Sequence, residues 1–273
     1  MKPNGTGLGP LPDGATAVVI GGGPGGAATA IALRHASRRG ALGRRLRVIV
    51  VEGKQFGGEQ HHNQCVGVLS PPIVELLERE LDVRFPHHLG RGAITGYVLH
   101  TARREIALDG EAEPSVAMRR VQFDAYMLEA ARARGVEVLH ARVTDLEFHA
   151  DRVVVYTEIA PLEGAVVVGA FGLDEGTAAI FGRVVGYRPP PALSSVVTKY
   201  HPGEVGMAQF GARVHAFLPA APRIEFGAIT PKGNHLTINV AGATADARLM
   251  ATFLALPEVR RALPCWENAG RFD

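Results

Sequence analysis

The apolar run Ala17-Val18-Val19-Ile20 breaks into Gly21-Gly22-Gly23-Pro24-Gly25-Gly26 and then into an alanine-rich stretch with helical spacing. A strand that turns through glycines straight into a helix presents unpaired helix N–H groups at its tip, and such a tip suits the pyrophosphate of a dinucleotide. The glycines divide the work. Gly21 allows the tight turn, Gly23 lets the backbone approach phosphate oxygens, and Gly26 lets the helix pack against the strand. Pro24 suits the first helical turn, where an N–H would find no partner.

The helix is expected over about Gly25 to Ser37, and a second strand over Leu46 to Val51 ends on Glu52. A carboxylate at that tip can accept hydrogen bonds from a ribose hydroxyl. Gly26 and Glu52 lie 26 residues apart, slightly long for this fingerprint, and the basic loop between Arg38 and Arg45 absorbs the excess. A glycine-rich turn alone would fit many α/β domains. The full order of strand, glycines, helix, strand and acid is far more restrictive.

Composition narrows the class further. The 273 residues allow one large or two modest domains, and 47% apolar content supplies enough core for either. A formal net charge of +2 is too mild to argue for nucleic acid. Two cysteines, Cys65 and Cys265, make no disulfide framework, which favours a reducing cytoplasm. No stretch reaches the apolar length of a membrane span, leaving peripheral membrane contact open. The leader from Met1 to Asp13, rich in Gly and Pro, is expected to be loose.

Further along, helices are expected at Pro71–Leu81 and at Phe123–Arg134, the latter closed by Gly135. Paired strands are expected at Ile94–His100 and Arg104–Leu108, with others at Val136–Leu139, Arg142–Phe148 and Val153–Ile159. Val166-Val167-Val168 reads as a strand buried on both faces. After Pro189-Pro190-Pro191, four runs between Ser195 and Ala241 read as an antiparallel sheet, and two short helices follow. The expected fold is α/β: a Rossmann-like nucleotide-binding domain with an inserted antiparallel β-rich layer. Residues 14–92 and 115–188 would form the first, residues 93–114 and 189–256 the second, and 257–273 would begin a further part.

Several segments together resemble flavoproteins of the geranylgeranyl reductase type, within the p-hydroxybenzoate hydroxylase-like class. They are Val19 to Ala27, Glu52, the Arg120-Val121-Gln122-Phe123-Asp124 block, Val168 to Gly172, and Phe226-Gly227-Ala228-Ile229-Thr230-Pro231-Lys232-Gly233. The last is similar to an aromatic-rich W-x-F-P-K-G segment, with the Trp absent and Thr230 in place of Phe. The resemblance spans most of residues 15–265.

The resemblance implies FAD as cofactor, with Gly21, Gly23, Pro24, Gly25 and Gly26 around the pyrophosphate and Glu52 on the adenosine ribose. It sets Arg120 near the phosphates or ribityl chain, the alternative being a surface arginine that caps the following helix. Backbone groups of Val143 would meet adenine. Cys65 falls on a loop that passes the flavin in this class, where a thiol can donate a proton during alkene reduction; a free cysteine is also often just a small buried hydrophobe. His61 and His62 are either acid–base groups or polar surface, and a metal site built on them and Cys65 would lack a fourth ligand.

The implied function is FAD-dependent reduction of carbon–carbon double bonds in a prenyl or other apolar substrate, with an electron donor not specified. An FAD-dependent monooxygenase or halogenase is the alternative enzyme, and a non-catalytic nucleotide-binding fragment the alternative outside catalysis. Two departures stand out. Phe171 occupies a position where the hydroxylase class often carries aspartate, which weakens direct reduced-nicotinamide-dependent hydroxylation. The sequence also stops at Asp273, ahead of the family's Gly-Asp-rich segment, so a truncated chain with weak flavin retention is expected.

Overall fold

A computed structural model describes residues 11–38, 45–56, 65–109, 113–264 and 271–272. Two compact units emerge, one from residues 1–62, 76–85 and 121–190, the other from 63–75, 86–120 and 191–273. The exchange points differ from the expected boundaries. Residues 63–75, 86–92 and 115–120, expected with the nucleotide domain, cluster with the β-rich unit. The reason is strand pairing: Val68–Leu69 and Gly90–Ile94 both bond to Ser115–Met118, so the three segments travel together.

The first unit is built on a parallel sheet in the order Val166–Gly169, Thr16–Ile20, Arg47–Val51, Glu137–Leu139. Val18, Val19 and Ile20 are buried, and Ala27, Ala30 and Ile31 of the Pro24–Arg38 helix are buried too. Small alanines bring this helix close to the sheet; β-branched residues suit the strands. The helix's far end is tied to the second strand, where Leu46 N donates to Ser37 Oγ at 2.9 Å and Arg34 donates to Leu46 O at 2.6 Å. A three-stranded antiparallel sheet of Val143–Phe148, Val153–Thr157 and Leu162–Gly164 completes the unit, with the helices Arg120–Ala133 and Glu175–Val185.

Two expectations change here. Val166–Gly169 is half-buried rather than buried on both faces, because it pairs with the opening strand alone in the described sheet. The Glu175–Val185 helix was not anticipated. Its signals are nonetheless local: Asp174 accepts from Thr177 N at 2.7 Å as an N-cap, and Gly186 ends it in the left-handed conformation at φ +73°.

The second unit carries a seven-stranded sheet in the order Arg271–Phe272, Ser194–His201, His235–Gly242, Phe226–Lys232, Arg213–Phe217, Gly96–His100, Glu105–Asp109. Its pairings are antiparallel except one. Arg213–Phe217 runs parallel to Gly96–His100, and that junction fuses the inserted hairpin to the later strands. The expected purely antiparallel layer is therefore a mixed sheet, since a hairpin arriving from so far upstream is not bound to the meander's alternation. One face packs Tyr200, Phe217, Ile229, Leu236, Ile238 and Val240 against Leu249, Phe253 and Val259 of the closing helices. Gly227 makes this possible, because a Cβ there would lie within the Phe253 ring's contact envelope. The smaller three-stranded sheet covers part of the other face through Ile94, Ala117, Val214 and Ala228. No described helix is long and apolar enough to cross a membrane.

Candidate functional site

The glycine elbow has the geometry that its sequence requires. Gly21 sits at φ +106°, and its N–H donates to Val51 O at 2.8 Å. A Cβ on Gly26 would stand 1.8 Å from Gly21 O, so the helix start and the strand end touch backbone to backbone. Gly23 and Gly25 differ: a Cβ on either would meet nothing within 4 Å. Two glycines close the turn while two leave room in front of the helix, which Pro24 opens. That division fits a pyrophosphate lying against the first helical turn.

Glu52 completes the elbow. One carboxylate oxygen accepts from Gly22 N and the other from Lys54 N, each at 2.7 Å. Both oxygens are thereby fixed in direction, and each keeps acceptor capacity for a hydroxyl. Arg142 packs on Gly53, where an added Cβ would lie 2.7 Å from Arg142 Cγ, so the start of the Val143 strand runs beside the acid. Val143 is half-buried and pairs with Thr157 across an irregularity in the ladder. Phe171, next to the turn residue Ala170, packs against Phe181 and Tyr187 with ring centroids 5.0 Å and 5.7 Å away. An aromatic cluster thus stands beside the turn at Ala170.

A second constellation lies wholly in the β-rich unit. Cys65 is exposed, which sets aside the buried-hydrophobe alternative, and Arg120 Nη1 stands 3.6 Å from its Sγ. Arg120 therefore meets the thiol; its expected contact with phosphates is a separate matter. Next to Cys65, Val66 O accepts from Lys232 Nζ at 2.6 Å. Gly67, at φ +77°, leaves space for that ammonium: a Cβ would lie 2.8 Å from Nζ. Burial pushes the Lys232 ammonium down to about 8, the Cys65 sulfur opposes this, and Arg119, Arg91 and Lys199 push the same way as burial. His61, His62 and Cys265 lie outside the described residues.

Sequence reading missed Lys232 as a buried cation and missed its neighbours on the same sheet face. The His235 ring lies tilted against His201 with centroids 5.4 Å apart, and burial with surrounding positive charge holds its imidazole down at about 4. Thr237 and Asn239 continue the row. The signal was present: His-Leu-Thr-Ile-Asn-Val alternates polar and apolar with the strand period.

No family model matches the chain, and no curated protein does. Solved structures do match in fold. A geranylgeranyl bacteriochlorophyll reductase-like protein from Thermoplasma acidophilum superimposes with TM-score 0.67 at 17% identity, over 96% of this chain and 64% of its own. The p-nitrophenol 4-monooxygenase PnpA from Pseudomonas putida gives 0.66 at 16%, over 96% and 67%. A variant of the halogenase PltM in complex with FAD gives 0.66 at 15%, over 95% and 60%. The chain spans about two thirds of the length of these proteins and shares their α/β fold.

Proposed function

We propose that this chain is an FAD-dependent oxidoreductase. The observation that carries the reading is the glycine elbow with Glu52 clamped by two main-chain N–H groups, in a fold shared with a halogenase solved with FAD. Gly23, Pro24 and Gly25 would line the pyrophosphate, Gly21 and Gly26 would hold the turn, and Glu52 would receive the ribose. Main-chain donors need no reorganisation on binding, so the cradle is ready before the ligand arrives. When bound, the flavin supplies hydride or oxygen chemistry that no side chain provides. Titrating the purified chain with FAD, following flavin fluorescence, should give saturable quenching at one equivalent that ADP reverses. A folded chain that binds neither FAD nor ADP overturns the assignment.

Within that reading we propose reduction of a carbon–carbon double bond, on a prenyl or similar substrate, with Cys65 as the proton source. The support is an exposed thiol with a guanidinium 3.6 Å away, which would balance the negative charge left on sulfur once its proton has gone to the substrate carbon. A monooxygenase or halogenase is the second reading. It is favoured by the polar, cation-bearing sheet face around Lys232, which suits a polar substrate better than a hydrocarbon. Anaerobic reoxidation of reduced enzyme by a prenyl alkene supports the first, and oxygen-dependent product supports the second.

A further inference from the structure

The hairpin of Gly96–His100 and Glu105–Asp109 closes one side of the seven-stranded sheet, and among the described residues no strand pairs with the outer edge of Glu105–Asp109. Leu218 N donates to His100 O at 2.9 Å, so the His100 main chain faces the Arg213–Phe217 side. Alternation then turns Tyr97 and Leu99 toward the hairpin partner, in phase with Thr101, whose N–H donates to Arg104 O at 2.8 Å. Their partners Leu108 and Ile106 bond inward. That leaves the N–H and C=O groups of Glu105, Ala107 and Asp109 pointing out of the sheet edge. All five residues of this strand are exposed.

Natural edges are often blunted by proline or a bulge, and Glu105–Asp109 has neither. Ile106 and Leu108 share a face with Leu99 and Tyr97, and Tyr97, Ile106 and Leu108 are 39%, 48% and 50% exposed. Charge along the segment is lopsided: Arg103 and Arg104 precede the strand, Asp109 ends it, and all three are exposed. An antiparallel second copy would bring the basic end of one strand to the acidic end of the other. Outward main-chain groups must meet outward ones, so the two-fold axis has to pass through a residue rather than between two. Centred on Ala107, Glu105 would face Asp109; centred on Leu108, it would face Glu111. Like charges directly opposite are unfavourable. Centred on Ile106, Glu105 faces Ala107, Arg103 comes over Asp109, and the Arg104 stem covers Leu108. Asp109 accepts from Arg213 at 2.5 Å through one carboxylate oxygen, so the arriving guanidinium can address the other.

We propose that two copies of this chain join along this edge, in an antiparallel pairing centred on Ile106 that carries each seven-stranded sheet across a two-fold axis. Glu105 of one copy exchanges N–H···O bonds with Ala107 of the other, Ala107 does the same with Glu105, and the two Ile106 side chains meet at the axis. The surface belongs to the β-rich unit alone and does not depend on the cofactor reading.

Sedimentation equilibrium on the purified chain should show a reversible rise to twice the chain mass by about 100 μM. Ala107→Pro removes an outward N–H that the chain's own ladder does not use, and should weaken the dimer about tenfold or more. Ile106→Lys sets two ammonium groups at the axis and should leave only monomer. Both variants, when dilute, should unfold in urea at the parent's midpoint, since neither touches an inward bond or a buried side chain. Arg103→Asp and Asp109→Arg should each weaken association about fivefold, and the double variant should regain the parent's affinity. That recovery is the result that general damage to the hairpin cannot imitate. Hydrogen exchange needs no variant: the Glu105 and Ala107 amides should slow as concentration rises, while those of Ile106 and Leu108 stay protected throughout. A chain that remains monomeric, a dimer indifferent to Ala107→Pro and Ile106→Lys, a double charge variant no tighter than the singles, or Ala107 exchange independent of concentration would each overturn the proposal. A chain that quenches FAD fluorescence yet stays monomeric sinks this inference and leaves the cofactor reading standing.

Discussion

The glycine elbow and the polar sheet face are built by opposite means. At the elbow, main-chain amides do the work, and the side chains that matter are the ones left out: Gly23 and Gly25 front open space, while Gly21 and Gly26 permit backbone contact. On the sheet face the backbone is consumed by the ladder, and what the face presents is side chains, Lys232, Asn239 and their neighbours. A surface built of backbone tolerates no added atom; one built of side chains tolerates replacement until its charged group is touched.

The largest effect should come from testing that intolerance directly. Gly26→Ala sets a methyl against Gly21 O, where neither partner can rotate away, and should lower stability by ~3 kcal/mol or more and abolish flavin binding. Gly25→Ala is its control. With nothing near the added carbon, the helix should hold or gain up to about 1 kcal/mol, yet flavin affinity should fall because the methyl intrudes where phosphate would lie. If Gly25→Ala leaves FAD titration untouched, the open space is not the cradle.

Acid separates the two units next. Burial holds His215 and His235 down at about 4, and His100 is depressed for the same reason; all three belong to the β-rich unit. His100 and His215 share a 2.8 Å hydrogen bond, so protonating both would set two donors against each other. The folded pKa lies below the unfolded value near 6.5, so the unfolded chain binds more protons between the two. Stability is therefore complete above about pH 6.5 and is lost as pH falls toward 4. In the first unit the shifted carboxylates are Asp13, Glu137, Asp145 and Asp174, all lowered by donors beside them, and their contribution is lost only as pH falls into and through the carboxylate range. Hydrogen exchange at pH 7 and pH 5 should show amides of the β-rich strands losing protection first. Uniform loss across both units would break the contrast.

That contrast also explains what the sequence disclosed. The elbow was legible because its parts, Gly21 to Gly26 and Glu52, sit close in the chain and each residue type is demanded by local backbone geometry. Helix ends at Gly135 and strands at Val153 were equally local. The sheet face is assembled from Val66, Lys199, Lys232 and Asn239, whose meeting depends on register between strands far apart in sequence. Alternation in residues 235–240 announced a two-faced strand, but only the pairing revealed that its polar side is enclosed. The parallel junction at Arg213–Phe217 was hidden for the same reason.

Glu52→Gln gives a smaller effect that sharpens the ligand side of the comparison. The carboxylate accepts from Gly22 N and Lys54 N, and an amide nitrogen would turn a donor toward one of them. Losing one charge-assisted bond is worth about 1.5–3 kcal/mol, so FAD and ADP should both weaken tenfold or more. Because ADP carries no isoalloxazine ring, an effect on FAD alone would move Glu52 away from the ribose.

Helix caps supply the smallest and most symmetrical test. Asp174 accepts from Thr177 N at 2.7 Å in the first unit, and Asp246 accepts from Leu249 N at 2.8 Å in the second. The two caps share residue type, backbone region and bond, so each alanine variant should cost about 1 kcal/mol in urea unfolding. Asp174 is held below its usual range by the Thr177 backbone and side-chain bonds, so its contribution survives at pH values where an ordinary aspartate has begun to protonate. Measured at pH 7 and again at pH 4, Asp174→Ala should retain most of its cost, because the capping carboxylate is still charged. A cost that vanishes by pH 4 would mean that Thr177 does not hold the charge, and the helix the sequence reading overlooked would then begin elsewhere.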